Sequence, residues 1–403
     1  MRRSPGGLAA AVAVALLAHT TLLALALGAA GAALPPPPAA PKPPQGRLIV
    51  FGGNYLGGYI PQKDVPTEIS TSNSLWGVSA GNLHSMAIYG KSRKVVEWPA
   101  ANSSYGGFAV VDLSTQRLQP KNLVDVVAVS AGEHHSLALT KAGKVVFWTR
   151  KLLGNASDDL PALLAPKAKA KVKAIAAGRG GYSMALLNNG SIIEWGPLRN
   201  YSDNSTWYRA PPPGLVLPFA GDNSSALVPR LRAKAIAAGW DHSLALLDNG
   251  TVVAWGGRRN QYQAYLSWRA INVSRDARQD VVAIAAGNQH SLALLANGTV
   301  VAWGTVLANS VGATCASTMC QHPPPPPAGP NNVPAEALRD VVAIAAGGQF
   351  AMALLKGGKV VVWGRSSGYL YIQYVPDDAL SGVFAMSGGS AHWVALKAAA
   401  AGP

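Results

Sequence analysis

Ala235-Ile-Ala-Ala-Gly-Trp-Asp-His-Ser-Leu-Ala-Leu-Leu-Asp-Asn-Gly-Thr-Val-Val-Ala-Trp-Gly256 and Ala283-Ile-Ala-Ala-Gly-Asn-Gln-His-Ser-Leu-Ala-Leu-Leu-Ala-Asn-Gly-Thr-Val-Val-Ala-Trp-Gly304 are two copies of one phrase. Further copies begin near Gly77, Ala128, Ala174 and Ala343. A last one opens at Val383 and stops at Leu396, before its Val-Val-x-Trp-Gly strand. The missing strand stands at the other end of the chain, where Arg47-Leu-Ile-Val-Phe-Gly-Gly53 has the pattern of Lys359-Val-Val-Val-Trp-Gly364. Pairing the two fragments makes seven copies and closes them into a ring. The glycines that open the His-bearing strands, Gly81, Gly132, Gly178, Gly239, Gly287, Gly347 and Gly389, recur at intervals of 42 to 61 residues. A period of that size, built from strands alone, signals radial repetition of one supersecondary unit. The expected fold is all-β: a seven-bladed β-propeller whose N-terminal strand completes the last blade.

Each copy divides into three strands. Ser243-Leu-Ala-Leu-Leu alternates small and large side chains, and Thr251-Val-Val-Ala-Trp is rich in β-branched and aromatic residues suited to a packed, pleated surface. The Ala-Ile-Ala-Ala-Gly stretch suits the crowded inner end of a blade. Between the second and third strands, Asn189-Gly190, Asn249-Gly250 and Asn297-Gly298 read as two-residue hairpin turns of the primed type, with positive φ at both positions. Gly357-Gly358 takes that place in the sixth copy. Closing the ring removes the sheet edges that invite aggregation.

The pattern Ala-Ala-Gly-x-x-His-Ser-Leu-Ala-Leu followed by Asn-Gly-x-Val-Val-x-Trp-Gly resembles the regulator of chromosome condensation repeat, over about residues 47 to 397. Between blades, Val65-Pro-Thr-Glu68, Val333-Pro-Ala-Glu-Ala-Leu338 and the segment from Val375 to Val383 look like the beta-lactamase inhibitory protein II branch of that superfamily. The resemblance implies a seven-bladed propeller working as a binding platform. It names no partner, because fold and function are separable.

The N-terminus suggests a compartment. Met1-Arg-Arg-Ser is followed by an apolar run from Leu8 to Leu27 and by the small-residue stretch Gly28-Ala-Ala-Gly-Ala-Ala33. Residues 1–33 are expected to be a secretory signal peptide or an uncleaved signal anchor. Residues 34–46 form a Pro-rich linker, 47–397 the propeller and 398–403 a tail. A secreted or surface-tethered monomer is expected, with membrane contact only through an uncleaved leader. Six Asn-x-Ser/Thr sequons fall between repeats, at Asn102, Asn155, Asn200, Asn204, Asn223 and Asn272, and are glycosylation candidates. The hairpin turn accounts for three more, at Asn189, Asn249 and Asn297. The only cysteines, Cys315 and Cys320, suit a local disulfide in an oxidising compartment. With His322 they could start a zinc site, but no fourth ligand is apparent. No cofactor is called for.

The formal net charge of +15 favours acidic partners. The densest basic segment, Lys167-Ala-Lys-Ala-Lys-Val-Lys173, suits an anionic polysaccharide or phospholipid, or alternatively a solvated edge strand protected from pairing. Nucleic acid is not expected for a secreted chain. Ten of the twelve tyrosines lie outside the repeated strands, in segments that follow the Trp-Gly position. Tyr55, Tyr59, Tyr105, Trp207, Tyr208, Arg209, Arg258, Arg259, Tyr262, Tyr265, Trp268, Arg269, Tyr369, Tyr371 and Tyr374 form the candidate binding face, together with Tyr201. Tyr, Trp and Arg carry much of the energy of protein interfaces, although any one of them can equally pin its loop to the ring.

His84, His135, His242, His290 and His392 share one repeat position with Tyr182 and Phe350, which makes it a packing position rather than a catalytic one. No nucleophile, base and orienting group stand together, so no enzyme is expected. Three functions follow. The first is a module recognising an extracellular protein, such as an enzyme it inhibits, through the Tyr-rich face. The second is a wall polysaccharide-binding component. The third is a guanine-nucleotide exchange factor-like protein, as the resemblance to nuclear members implies.

Overall fold

In the computed structural model, the described residues are 46–52, 65–99 (except 71, 73 and 83), 120–149 (except 121 and 134), 164, 171–196, 215, 231–256, 271–304, 333–364 and 375–398. They form seven three-stranded antiparallel sheets. Blade 1 is β2 (Leu75–Ala80), β3 (His84–Tyr89) and β4 (Lys94–Pro99). Blade 2 is β5 (Val126–Ala131), β6 (His135–Thr140) and β7 (Val145–Thr149). Blade 3 is β8 (Val172–Ala177), β9 (Ser183–Leu187) and β10 (Ile192–Trp195). Blade 4 is β11 (Ala233–Ala238), β12 (His242–Leu247) and β13 (Val252–Gly256). Blade 5 is β14 (Val281–Ala286), β15 (His290–Leu295) and β16 (Val300–Gly304). Blade 6 is β17 (Val341–Ala346), β18 (Phe350–Leu355) and β19 (Val360–Gly364).

Blade 7 joins the two ends of the chain. It pairs β20 (Val383–Gly388) with β21 (His392–Ala398), and β21 with β1 (Gly46–Gly52), as the split repeat predicts. The strands of this blade run one residue beyond 47 and 397 at each end. Phe51 lies 5.5 Å from Trp393 between ring centroids, an aromatic contact that helps seat the closing strand. Successive small-residue inner strands touch one another around the axis, and β20 returns to β2. Each middle strand also packs against the next blade's inner strand, so its leucines and alanines are buried on both faces. The core therefore lies between blades, as in the cluster that joins Leu48, Val50 and Leu396 of blade 7 to Leu75, Ala87 and Trp98 of blade 1.

Two readings change in detail. The three Asn-Gly hairpins are not of the primed type, whereas Gly357 and Gly358 both have positive φ, 97 and 86°. Gly190, Gly250 and Gly298 have φ of 87, 83 and 84°, whereas Asn189, Asn249 and Asn297 do not have positive φ. The Gly190 N–H donates to the Leu187 carbonyl at 3.0 Å and the Leu187 N–H to the Ser191 carbonyl at 2.8 Å, which encloses a three-residue loop ending in a left-handed glycine. Each asparagine instead accepts, through Oδ1, the N–H two residues on, at 3.0 Å in all three turns. The Val-Pro linkers, expected to mark the inhibitory branch, are wedges. Their short helical turns bury Ile69, Ala337 and Ala379 completely, and the Ser274-Arg-Asp-Ala277 turn does the same with Ala277.

Every blade thus has two unlike ends. At the mouth face lie the Gly-x-x-His turns and, by register with them, the Trp-Gly ends of the outer strands (His242 opposite Gly256). At the turn face lie the hairpins and the starts of the inner strands.

Candidate functional site

The repeated histidines are structural latches. All five are at most 5% exposed. His84 Nε2 pairs with Ser136 Oγ of the next blade at 2.9 Å, His135 with Ser183 at 3.0 Å, His242 with Ser291 at 3.0 Å and His392 with Ser85 at 2.8 Å. In blade 3 the Tyr182 hydroxyl does this work, donating to the His242 carbonyl with Ser243 Oγ 3.2 Å away, while the Ser243 hydroxyl donates to Glu194 Oε1 at 2.7 Å. The repeat glycine makes room for the ring: a Cβ at Gly132 would stand 2.4 Å from His135 Cε1. The Gly-x-x-His-Ser phrase is therefore a blade-to-blade fastening.

One residue at the mouth breaks the repeat. Blade 3 carries three residues between the repeat glycine and the aromatic, Gly178-Arg-Gly-Gly-Tyr182, where the other blades carry two. Gly181 adopts φ 84° to absorb the insertion. Arg179 crosses the ring from there. Its Nη2 donates to the Ala346 carbonyl of blade 6 at 3.1 Å and to the Gly388 carbonyl of blade 7 at 2.6 Å, and its Nη1 donates to Asn288 Oδ1 of blade 5 at 3.3 Å. Desolvation lowers its pKa to about 10, which leaves the guanidinium charged at neutral pH. The same cation adds to burial in holding His290 and His392 neutral, each with a pKa lowered to about 3.

Beside it stands Trp240, one residue after the repeat glycine of blade 4. Its backbone N–H donates to the Gly287 carbonyl at 3.2 Å. A Cβ at Gly180 would lie 2.0 Å from the Trp240 carbonyl oxygen, so the blade 3 insertion is packed directly under this residue. Trp98, Trp255 and Trp393 are fully buried, but Trp240 is 45% exposed. An exposed aromatic side chain at the mouth of the ring, next to an axial cation, is suited to contact with a macromolecule. Among the described residues, no three His, Cys, Asp or Glu side chains gather as a metal site.

The candidate binding residues Tyr55, Tyr59, Tyr105, Tyr201, Trp207, Tyr208, Arg209, Arg258, Arg259, Tyr262, Tyr265, Trp268, Arg269, Tyr369, Tyr371 and Tyr374 lie outside the described residues. So do Cys315, Cys320, residues 1–45, and the sequons at Asn102, Asn155, Asn200, Asn204 and Asn223. Asn272 is described and exposed. Sequence reasoning missed Arg179 and Trp240, although the extra residue in blade 3 was a visible signal.

Comparison with known proteins agrees with the ring. The model of the regulator of chromosome condensation (RCC1) repeat matches residues 233–263, 281–312 and 341–369. The RCC1 domain-containing protein RUG3, mitochondrial, of Arabidopsis thaliana is 28% identical over 208 residues, covering 46% of this chain and 42% of that protein. Guanine nucleotide exchange factor SRM1 of Saccharomyces cerevisiae is 30% identical over 168 residues, covering 36% of this chain and 33% of that protein. The chain thus spans less than half the length of either relative. The structure of Prp20p from Saccharomyces cerevisiae, a protein described by its binding to Gsp1p and histones, has a TM-score of 0.54 at 16% identity, covering 88% of this chain and 91% of that one.

These findings correct two expectations. The matched relatives are a mitochondrial protein and an exchange factor, not secreted or surface-tethered chains, so the secretory localisation is withdrawn. With it go the extracellular protein or inhibited enzyme and the anionic polysaccharide as partners. The physical reason is that a basic, acid-free N-terminal stretch, whose first following acid here is Asp64, does not by itself fix a compartment. The matches reach the repeat superfamily and do not single out the inhibitory branch.

Proposed function

The ring being an RCC1-repeat β-propeller, a non-catalytic protein-interaction fold, we propose that its mouth face docks a small GTPase and promotes release of the bound guanine nucleotide. The observation that carries this is Trp240, 45% exposed and braced on the blade 3 insertion at the mouth. Support comes from the relative named as a guanine nucleotide exchange factor and from Prp20p, described by its binding to Gsp1p. An exchange factor needs no acid, base or nucleophile. It acts by binding the nucleotide-free partner more tightly than the loaded one, and the difference in binding free energy lowers nucleotide affinity by the same factor. A rigid ring with an exposed aromatic anchor meets that requirement. Tyr262, Tyr265 and Trp268 join the proposal because they follow Gly256 in sequence, and Gly256 ends β13 at the mouth face.

The test is release of a fluorescent GDP analogue from small GTPases of the source cell, with and without the full-length protein. Release should accelerate for one of them, and Trp240→Ala should reduce the effect by about tenfold or more while leaving thermal unfolding unchanged. Undiminished exchange by Trp240→Ala would assign docking to another face. Failure to bind any nucleotide-free GTPase would remove the exchange reading.

A further inference from the structure

The turn face carries a charge pattern that one ring leaves unpaired. A single residue precedes the inner strand of each blade, and one kind of hydrogen bond fixes it there: its carbonyl accepts an N–H from the hairpin of its own blade. Asn188 donates in this way to Lys171 and Asp248 to Arg232 at 3.0 Å, and Ala296 to Asp280 and Lys356 to Asp340 at 2.8 Å. Blades 3 and 4 thus present Lys171 and Arg232 at the position where blades 5 and 6 present Asp280 and Asp340. All of these side chains are exposed. Among the described residues, the one ion pair that any of them makes is the long contact from Arg232 to Asp248 at 3.9 Å.

The order of these charges around the ring is self-complementary. Take a twofold axis lying in the turn face, running through blade 1 and out between blades 4 and 5. It lays blade 4 of one copy on blade 5 of another, and blade 3 on blade 6. Arg232 then faces Asp280, Lys171 faces Asp340, and symmetry repeats both pairs. Of the twofold axes that a seven-bladed ring offers in this plane, only this one opposes both cationic blades to acidic ones. Exposed apolar side chains follow the same operation. Among the described residues, Val124, Val282 and Leu380 are 40, 40 and 43% exposed, and all three lie at the turn face. Val124 leads into blade 2 and Leu380 into blade 7, the blades that this axis superimposes.

We propose that the turn face is the interface of a homodimer, two rings stacked about this axis with their mouths pointing outwards. The opposed charges set orientation and register, which is the main service of complementary charge at an interface. Val124 against Leu380 supplies apolar contact on one side of the face. On the other, Lys234 takes the same strand position as Val282, so its aliphatic stem covers that valine. Lys91, Lys94, Lys141 and Lys144 belong to hairpins, farther from the axis than the inner strands, at a rim where solvent screens like charges. The dimer departs from the monomer expected from the sequence. It leaves Trp240 free on both outer faces, so the inference stands apart from the exchange reading.

The experiment is sedimentation velocity of the full-length protein over a concentration series, with two charge variants and their mixture. The acidic variant combines Lys171→Glu, Lys173→Val, Arg232→Glu and Lys234→Val. The basic variant combines Asp280→Asn, Val282→Lys, Asp340→Asn and Val342→Lys. Asparagine suits the left-handed φ of 57 and 56° at the two aspartates, and Lys173 and Lys234 show that the second strand position accepts lysine. The unmodified protein should sediment as a dimer. Each variant alone should associate at least about tenfold more weakly, because like charges then face each other. An equimolar mixture should recover the dimer, one copy of each, which separates loss of contact from loss of fold. Trp240→Ala should dimerise as the unmodified protein does. A monomer up to about 0.1 mM for the unmodified protein would overturn the proposal. So would variants that dimerise alone as the unmodified protein does, or a mixture that stays monomeric while both variants melt as it does. Loss of the dimer in Trp240→Ala would move the interface to the mouth.

Discussion

The junctions on the two sides of the ring are fastened differently. From blade 7 through blade 3, each junction carries two polar ties. Ser387, Ser79 and Ser130 accept the backbone N–H of Ala80, Ala131 and Ala177 in the next blade at 3.0, 3.0 and 2.9 Å, beside a His–Ser latch each time. Between blades 1 and 2, Trp148 Nε1 also donates to Glu97 Oε2 at 3.0 Å. Across blades 5, 6 and 7 both ties are missing. The inner-strand serine is Ala285 or Ala345, and the latch serine is Ala351 or Trp393. His290 Nε2, facing blade 6, is left without a hydrogen-bond partner.

The seam where the chain ends meet is therefore among the best-tied junctions, and the plain side is one the polypeptide crosses continuously. That side is also where Arg179 reaches. Its hydrogen-bond acceptors belong to blades 5, 6 and 7, so a guanidinium from blade 3 supplies across the axis the polar link that the local repeats lack. A seam without covalent continuity needs directional bonds to fix its register. Blades joined by the chain can rely on apolar packing such as Phe350 with Trp393 and Met352.

Acid should break the comparison most strongly. His290 and His392 are held neutral in the fold, with pKa values lowered to about 3 by burial first, then by His242 and Arg179 at His290 and by Arg179 and His84 at His392. The unfolded chain takes up these protons below an ordinary histidine pKa of about 6.5, so the stability they contribute is complete above that point and falls as pH drops towards 3. The loss is about 1.4 kcal/mol per pH unit for each histidine, or roughly 5 kcal/mol for both after two units. Urea unfolding at a series of pH values measures it. His290→Phe, which copies Phe350 of blade 6, should remove about half of the slope; an unchanged slope would mean that His290 is charged in the fold.

Next comes the axial cation. Arg179→Met should cost about 3 kcal/mol in urea unfolding at neutral pH, because it leaves the Ala346 and Gly388 carbonyls buried without their donor. Arg179→Lys keeps the charge but not the fork, and should recover only part of the loss. A loss below about 1 kcal/mol for Arg179→Met would show that the plain side holds by packing alone.

What the sequence made legible follows from periodicity. Strand number, inner and outer position, and the split blade all recur seven times, so each copy corrects the reading of the others. The hairpin was misread because an Asn-Gly pair serves both a two-residue turn and the last two places of a three-residue one, and only the bond from Gly190 to Leu187 separates them. Arg179 and Trp240 stand at a position filled elsewhere by Asn82, Glu133, Asn288, Gly348 and Ser390, where no period exists to read. Side chains that reach across the axis depart from the repeat, and only the count of residues between Gly178 and Tyr182 marks the departure.

The smallest expected effect is the sharpest on the latch itself. Ala351→Ser places a hydroxyl at the position that Ser136, Ser183 and Ser291 occupy on their strands, opposite the unpaired Nε2 of His290. It should stabilise the ring by about 1 kcal/mol, since a buried polar atom gains its partner and the added oxygen replaces little volume. Ser85→Ala is the mirror experiment at the seam, stranding His392 Nε2, and should cost about 1–2 kcal/mol. Equal and opposite shifts in urea midpoint would mean that a latch has the same worth wherever it sits. If Ala351→Ser gains nothing while Ser85→Ala loses, then latches matter where the chain is interrupted, and the plain side lost its serine at no cost because Arg179 already holds it.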